Sequence, residues 1–201
     1  MIPHNLIRTV PTTTTQEIEQ WWTWAVEIHQ GWNHMTFRDP IDRDLFPMTS
    51  HLWDRCQNGA QRAGLIRLEA VYTHGGIYID SDVQVYKSFT PLTGLQAFAA
   101  WEDARVVPDA IFGAEQGHPA IGECLEVATW LVEKGFNAWD SGPGVFTDVL
   151  PGRLDVLLLP PASIYPYHYS EKNVRGKKGA DWGNNPWCYA AHHWYGSWVP
   201  K

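Results

Sequence analysis

Residues Gly75-Gly76-Ile77-Tyr78-Ile79-Asp80-Ser81-Asp82-Val83 place two glycines ahead of a short apolar run that closes on an Asp-x-Asp pair. A run this short, bounded by glycine and rich in β-branched and aromatic side chains, reads as a buried strand. Side chains alternate across a strand, so Asp80 and Asp82 are expected to point the same way where the sheet meets solvent. Two carboxylates that close repel unless a cation lies between them, and hard divalent ions that prefer oxygen ligands, Mg²⁺ or Mn²⁺, fill that role. Gly75 and Gly76 permit unusual dihedrals and let a ligand approach the backbone. The stretch therefore asks for a sheet with a metal site at one strand end.

The flanking segments have α/β grammar. Ile2 to Val10 reads as an opening strand. Thr14 and Glu17 have capping-box spacing for a helix that runs to about Gln30 and stops at Gly31. Trp32 to Phe37 reads as a second strand. Asn58 opens a helix to about Thr73, with Leu65, Leu68 and Tyr72 on one face, and His74-Gly75-Gly76 ends it. Farther on, Ala97 to Trp101 is a strand, Pro119 starts a helix that ends near Gly135, Gly142-Pro143 precedes a short helix to about Leu150, and Asp155 to Leu159 is a strand. From Pro161 onward few regular elements are expected, and long irregular segments are commonly functional.

A chain of 201 residues suits a single domain with a full core, and no internal repeat stands out. A net charge of −7 argues against nucleic-acid or anionic-membrane partners. Cys56, Cys124 and Cys188 are odd in number and have no Cys-x-x-Cys spacing, which suggests neither a disulfide framework nor a zinc knuckle. A reducing cytoplasm and no membrane anchor are expected. Twelve tryptophans are the compositional anomaly. Trp21, Trp22, Trp24 and Trp32 are read as core, with Trp21, Trp24 and Ile28 on one helical stripe. Trp182, Trp187, Trp194 and Trp198 lie among Gly, Asn and Pro and are read as facing a ligand.

Arg67, Tyr72 and the stretch from Gly75 to Val83 resemble the sugar-binding Asp-x-Asp region of family 32 glycosyltransferases, which include yeast-type initiating mannosyltransferases and relatives of the large clostridial glucosylating toxins. Ile2-Pro3, Gly117-His118-Pro119, Ser141-Gly142-Pro143 and the ending His192-His193-Trp194-Tyr195-Gly196-Ser197-Trp198 resemble that family's other landmarks in the same order. The resemblance implies a single-domain GT-A type nucleotide-diphospho-sugar transferase fold over residues 1–201, with a mixed, mostly parallel central sheet between helices and residues 160–201 closing the active site. It implies metal-dependent transfer, with retention, from a nucleotide-diphospho-sugar donor to a glycan or protein acceptor. Asp80, Asp82 and Arg67 would be catalytic. Arg67, Gly75, Gly76, Tyr78, Asp80, Ser197 and Trp198 would bind the donor, and Asp80, Asp82 and His192 would hold Mn²⁺ or Mg²⁺. Gly64 departs from the family pattern, in which many members carry Asp three residues before the Arg. Without an anchor, the enzyme would act in a bacterial cytoplasm, or in the host cytoplasm if viral.

Other readings remain open. Arg67 alone reads as a solvated helix residue. His192 and His193 are adjacent and face opposite sides of a strand, so one of them is structural. Glu102 and Asp103 are either acceptor-site acids or a solvated strand end, Asp109 is equally ambiguous, and the basic run Lys172, Arg175, Lys177 and Lys178 is either a diphosphate clamp or a charged loop. An apolar strand followed by Asp-x-Asp also describes haloacid-dehalogenase-type phosphatases, and a Trp-rich carbohydrate-binding protein without turnover is the third class.

Overall fold

The computed structural model describes residues 1–174 and 182–195, with the side chains of 172–174 left aside. Its elements follow the alternation read from the sequence: β1 (Asn5–Val10), α1 (Gln16–Ile28), β2 (Asn33–Arg38), α2 (Gly59–His74), β3 (Gly76–Ile79), β4 (Val83–Val85), β5 (Ala97–Ala100), β6 (Ile111–Ala114), α3 (Pro119–Glu133), α4 (Val145–Val149), β7 (Leu157–Leu159) and β8 (Ala190–His192). Six strands form one sheet in the order β2-β1-β3-β6-β5-β7, while β4 and β8 pair separately. β2, β1 and β3 run parallel, β5 and β7 run parallel, and β6 lies antiparallel to both β3 and β5. Five strands therefore share one direction and β6 alone is reversed. This is the mixed, mostly parallel sheet that was expected.

Strand parity sorts the core into two layers. Ile7, Tyr78, Phe112, Ala97 and Ala99 face the layer built with Leu65 and Leu68 of α2 and Cys124 and Leu125 of α3. Leu6, Ile77, Ile79, Ile111 and Phe98 face the other layer, with Ala25 of α1 and Ala190 of β8. Gly113 of β6 lies where a Cβ would stand 2.6 Å from Phe98, so its missing side chain lets β5 and β6 pair tightly.

The helix signals were mostly local and mostly kept. The Asn58 side chain accepts from the Gln61 amide at 2.9 Å and starts α2, and Gly75, at φ +62°, ends it. α1 differs from expectation. Its cap is Thr15, whose hydroxyl accepts from the Ile18 amide at 3.3 Å, while Thr14 donates to Glu19 at 2.6 Å. Glu19 also pairs with Arg8 and Arg38, while the Glu17 carboxylate accepts from the Tyr195 hydroxyl. The buried stripe of α1 is Ile18, Trp21 and Ala25, leaving Trp24 at 40% exposure, outside the core assigned to it.

Three strands were not foreseen. β6 hides among small residues, and β4 and β8 are three residues each, held by a partner more than a hundred positions away. β8 also puts regular structure in the tail, where little was expected. No helix among the described residues is long and apolar enough to cross a membrane.

Candidate active site

β3 ends at Ile79, and Asp80-Ser81-Asp82-Val83 is a turn closed by the Val83 amide on the Asp80 carbonyl at 3.1 Å. The two carboxylates converge because the chain folds back there, not through strand alternation. This corrects the mechanism first assumed while leaving the convergence intact. The turn feeds β4, which pairs with β8 in the register Val83 to His192. His192 is thereby delivered to the acids, and one ligand atom each from Asp80, Asp82 and His192 lies within 4.8 Å of the others.

Each member is held by several contacts. Asp82 Oδ1 meets His192 Nε2 at 3.1 Å, Oδ2 accepts from the Tyr195 amide at 2.8 Å, and its carbonyl accepts from the His193 amide at 3.0 Å. Trp194, at φ +53°, makes the left-handed bend that brings the Tyr195 amide back to Asp82. Burial pushes the Asp82 carboxyl up, but the His192 charge and these hydrogen bonds outweigh it and hold the pKa at about 2. Burial depresses the His192 pKa, but Asp82 more than offsets it and the net shift is upward. Asp80 goes the other way: burial lifts it, Arg67 pulls it down, and nearby Asp82 adds to the lift. One acid disfavouring charge beside another that keeps it is the condition a divalent cation relieves. Among the described residues the buried Nδ1 of His192 has no hydrogen-bond partner, while its Nε2 faces Asp82. The donor set fits Mn²⁺ or Mg²⁺.

Arg67 lies one wall behind. Its guanidinium meets Asp80 Oδ1 at 3.0 Å and Asp109 Oδ2 at 3.3 Å, and it donates to the Asp109 carbonyl at 2.8 Å. Burial opposes its charge, yet Asp109 and Asp80 together raise its pKa. It is no solvated helix residue: its side chain is 7% exposed. It lines the cleft, but its contacts go to protein carboxylates. Tyr78 donates to Asp80 Oδ1 at 2.8 Å, shares a 2.7 Å hydrogen bond with Thr9, and lies under Arg67 at 4.8 Å. Tyr78 backs the acids without lining the cleft.

The cleft in front of these groups holds about 830 Å³, within the range of small-molecule sites. Thr9 and Val10 at the end of β1, Asn58 to Gly64 on α2, Pro108 and Asp109, and Trp139 to Pro143 enclose it with the acids and the tail. Gly142 makes room for Asp109, whose carboxylate would stand 3.1 Å from a Cβ there. Gly64 also lines it, and a Cβ at that position would meet nothing within 4 Å.

Gly75 and Gly76 are not brought to the cleft. They begin β3, at the end opposite Asp80, and Cβ atoms there would stand 2.7 Å from Pro3 and 2.6 Å from Asn5. Their role is close packing on the opening segment, not donor approach. His193 faces away from His192, as adjacency required: it contacts Gln84 and Tyr167 and stacks on Trp21. Asp103 spends its carboxylate on the Arg105 and Val106 amides, whereas Glu102 faces the cleft. Of the C-terminal tryptophans, Trp194 lines the cleft, Trp182 stacks on Tyr167 and Trp187 is exposed. Ser197, Trp198, Arg175, Lys177, Lys178 and the Lys172 side chain lie outside the described residues. His168 and Tyr169 line the cleft without any sequence signal, since neither belongs to a regular pattern.

A family model described as the glycosyltransferase sugar-binding region containing the DXD motif matches residues 14–99. Inositol phosphoceramide mannosyltransferase 3 of Schizosaccharomyces pombe is 27% identical over 135 residues, which cover 63% of this chain and 37% of that protein. The chain thus spans well under half the length of that relative. An uncharacterized glycosyltransferase of Acanthamoeba polyphaga mimivirus is 24% identical over 188 residues, covering 86% of this chain and 70% of its own. Among solved structures, the PaToxG glycosyltransferase superposes with a TM-score of 0.60 at 18% identity over 74% of this chain and 69% of its own. The galactosyltransferase LgtC, crystallised with donor and acceptor sugar analogs, gives 0.57 at 9% identity over 94% of this chain and 86% of its own. At such identities the likeness is one of fold. Residues 14–99 are therefore similar to the sugar-binding region of the DXD glycosyltransferases, and the chain has a fold of the GT-A type.

Proposed function

We propose that the protein is a metal-dependent, retaining glycosyltransferase that moves a hexose from a nucleotide-diphospho-sugar to a hydroxyl acceptor. The observation that carries this reading is the convergence of Asp80, Asp82 and His192 at the lip of a cleft backed by Arg67. Asp80, Asp82 and His192 would hold Mn²⁺ or Mg²⁺, which when bound acts as a Lewis acid toward the diphosphate. Arg67 clamps Asp80 and Asp109, so the carboxylates need no reorganisation as charge develops. In the reaction the bond from the anomeric carbon to phosphate oxygen breaks, the acceptor oxygen bonds to that carbon, and the acceptor proton leaves with the diphosphate. Retention is the outcome that the family resemblance implies.

Asp80 is a poor candidate for the nucleophile of a phosphatase, because Tyr78 and Arg67 occupy its oxygens. The three unpaired cysteines support a reducing compartment, in line with a cytoplasmic enzyme. The similarity to a mannosyltransferase of Schizosaccharomyces pombe makes an activated mannose the first donor to test. Nucleotide hexoses incubated with Mn²⁺ should release nucleoside diphosphate, and Asp82→Asn should abolish release while the protein stays folded by circular dichroism. Full metal-dependent turnover by Asp82→Asn, or wild-type turnover indifferent to chelator, would overturn the proposal.

A further inference from the structure

Beside the metal ligands, the cleft is lined by a carboxylate that they do not use, Glu102. Glu102 follows β5 and is fixed by its amide on the Val106 carbonyl at 2.9 Å, within the turn that Asp103 caps. Its side chain is 7% exposed, yet it lines the cleft. Oε1 accepts from the Tyr169 amide at 3.1 Å and lies 3.3 Å from His168 Nε2. Among the described residues no group engages Oε2. A nearly buried carboxylate with one oxygen committed and the other open to a cavity is an acceptor atom waiting for a donor.

Two further observations say what kind of donor. Tyr169 and Trp139 come from separate segments, both line the cleft, and both rings are half open, at 54% and 49% exposure. Half-open rings beside a carboxylate match a pyranose, which presents an apolar C–H face and a rim of hydroxyl donors. The wall also adjoins the metal ligands: the Tyr169 ring lies edge-on to Trp194 at 6.1 Å, and Trp194 lies 4.1 Å from His192.

We propose that Glu102, His168 and Tyr169 form the acceptor subsite, that its occupant is a saccharide, and that an acceptor-sugar hydroxyl donates to Glu102 Oε2 while the ring packs on Tyr169. His168, held at Nδ1 by Ser170 at 2.8 Å, is a positioning residue that orients the carboxylate. This inference rests on the transferase reading and assigns the acceptor class to it.

The test uses the full chain with Mn²⁺, nucleotide hexoses, a panel of nitrophenyl hexosides as acceptors, and a Ser/Thr-rich peptide as the competing class. Wild type should glycosylate at least one hexoside. Glu102→Gln should raise the acceptor KM about tenfold or more, the loss expected for a hydrogen bond to a charged group, with the donor KM moved less than about twofold. Tyr169→Ala, at a half-exposed ring that meets His168 and Trp194, should raise the acceptor KM with the fold kept by circular dichroism, and Tyr169→Phe should restore it. An unchanged acceptor KM in both Glu102→Gln and Tyr169→Ala overturns the proposal. So does a donor KM that rises in parallel, transfer to the peptide alone, or donor hydrolysis without transfer to any hexoside. Absence of donor hydrolysis and of donor binding by wild type would instead refute the transferase reading beneath it.

Discussion

Replacing Arg67 with leucine isolates the group that holds the acids together. The guanidinium is 7% exposed and joins Asp80 to Asp109, with the Asp109 carbonyl on the same nitrogen. Leucine would leave two enclosed carboxylates and a carbonyl without their donor. Breaking a buried pair on one side costs about 3–5 kcal/mol, a large share of the about 5–15 kcal/mol that holds a typical domain. The loss has a pH signature whose sign follows from Asp80. Burial already lifts its pKa and Arg67 is the chief force pulling it down, so removal of Arg67 raises it further. A carboxyl whose folded pKa exceeds its unfolded value favours folding below the unfolded pKa, and that contribution is lost as pH rises through the folded value. Urea unfolding of chelated Arg67→Leu should therefore show a deficit that widens with rising pH, starting near the ordinary aspartate pKa. Mn²⁺ at a hundred times the variant's dissociation constant should raise the variant's own stability by about 2.7 kcal/mol over its chelated form. A variant within about 1 kcal/mol of wild type at pH 8, or a deficit independent of pH, would refute the account of Arg67 as the clamp on these acids.

Other perturbations test the scaffold. Gly76→Ala forces a Cβ to within 2.6 Å of Asn5 at φ +123° and should cost about 3 kcal/mol or more in chemical denaturation, whereas Gly64→Ala, inside α2 with open space around its Cβ, should be neutral or stabilising by up to about 1 kcal/mol and serve as the control. His29 Nδ1 meets the Ala25 carbonyl and its Nε2 accepts from the Phe89 amide, both at 2.8 Å, so the buried ring is neutral, and burial lowers its pKa despite the Ala25 contact. Its contribution is complete above the unfolded histidine value of about 6.5 and is lost as pH falls through the lowered folded value, so His29→Phe should be weaker at pH 8 yet flatter in thermal midpoint below pH 6.5 than wild type. Glu69 accepts from the Met48 amide at 2.9 Å and the Thr49 hydroxyl at 2.7 Å, so Glu69→Ala should lose about 2–3 kcal/mol in urea and Glu69→Gln clearly less.

What was legible in the chain was whatever acts over a few residues. Asn58 three positions before Gln61, Gly75 after His74, Pro119 behind His118 and the apolar run into Asp80 each carry their own signal, and each stands where it was read. Resemblance extended that local view to Arg67 and His192. Where local rules competed, they misled: the cap of α1 is Thr15 and Glu17 meets the distant Tyr195 hydroxyl, and Gly75 and Gly76, read as ligand-facing, pack on Pro3 and Asn5.

The site itself is a product of long-range pairing. Asp82 and His192 are 110 positions apart, Arg67 and the Asp109 carbonyl 42, and Glu102 and the Tyr169 amide 67. None of these contacts follows from periodicity or capping, because each depends on which strands lie side by side. β6 reversed between β3 and β5, and β8 added beside β4, set those neighbours. The sequence alone thus determined that an acid pair would end a buried strand. Only the tertiary structure brought the histidine, the arginine clamp and the neighbouring glutamate to that pair, since burial energy selects whole strand arrangements and not single residues.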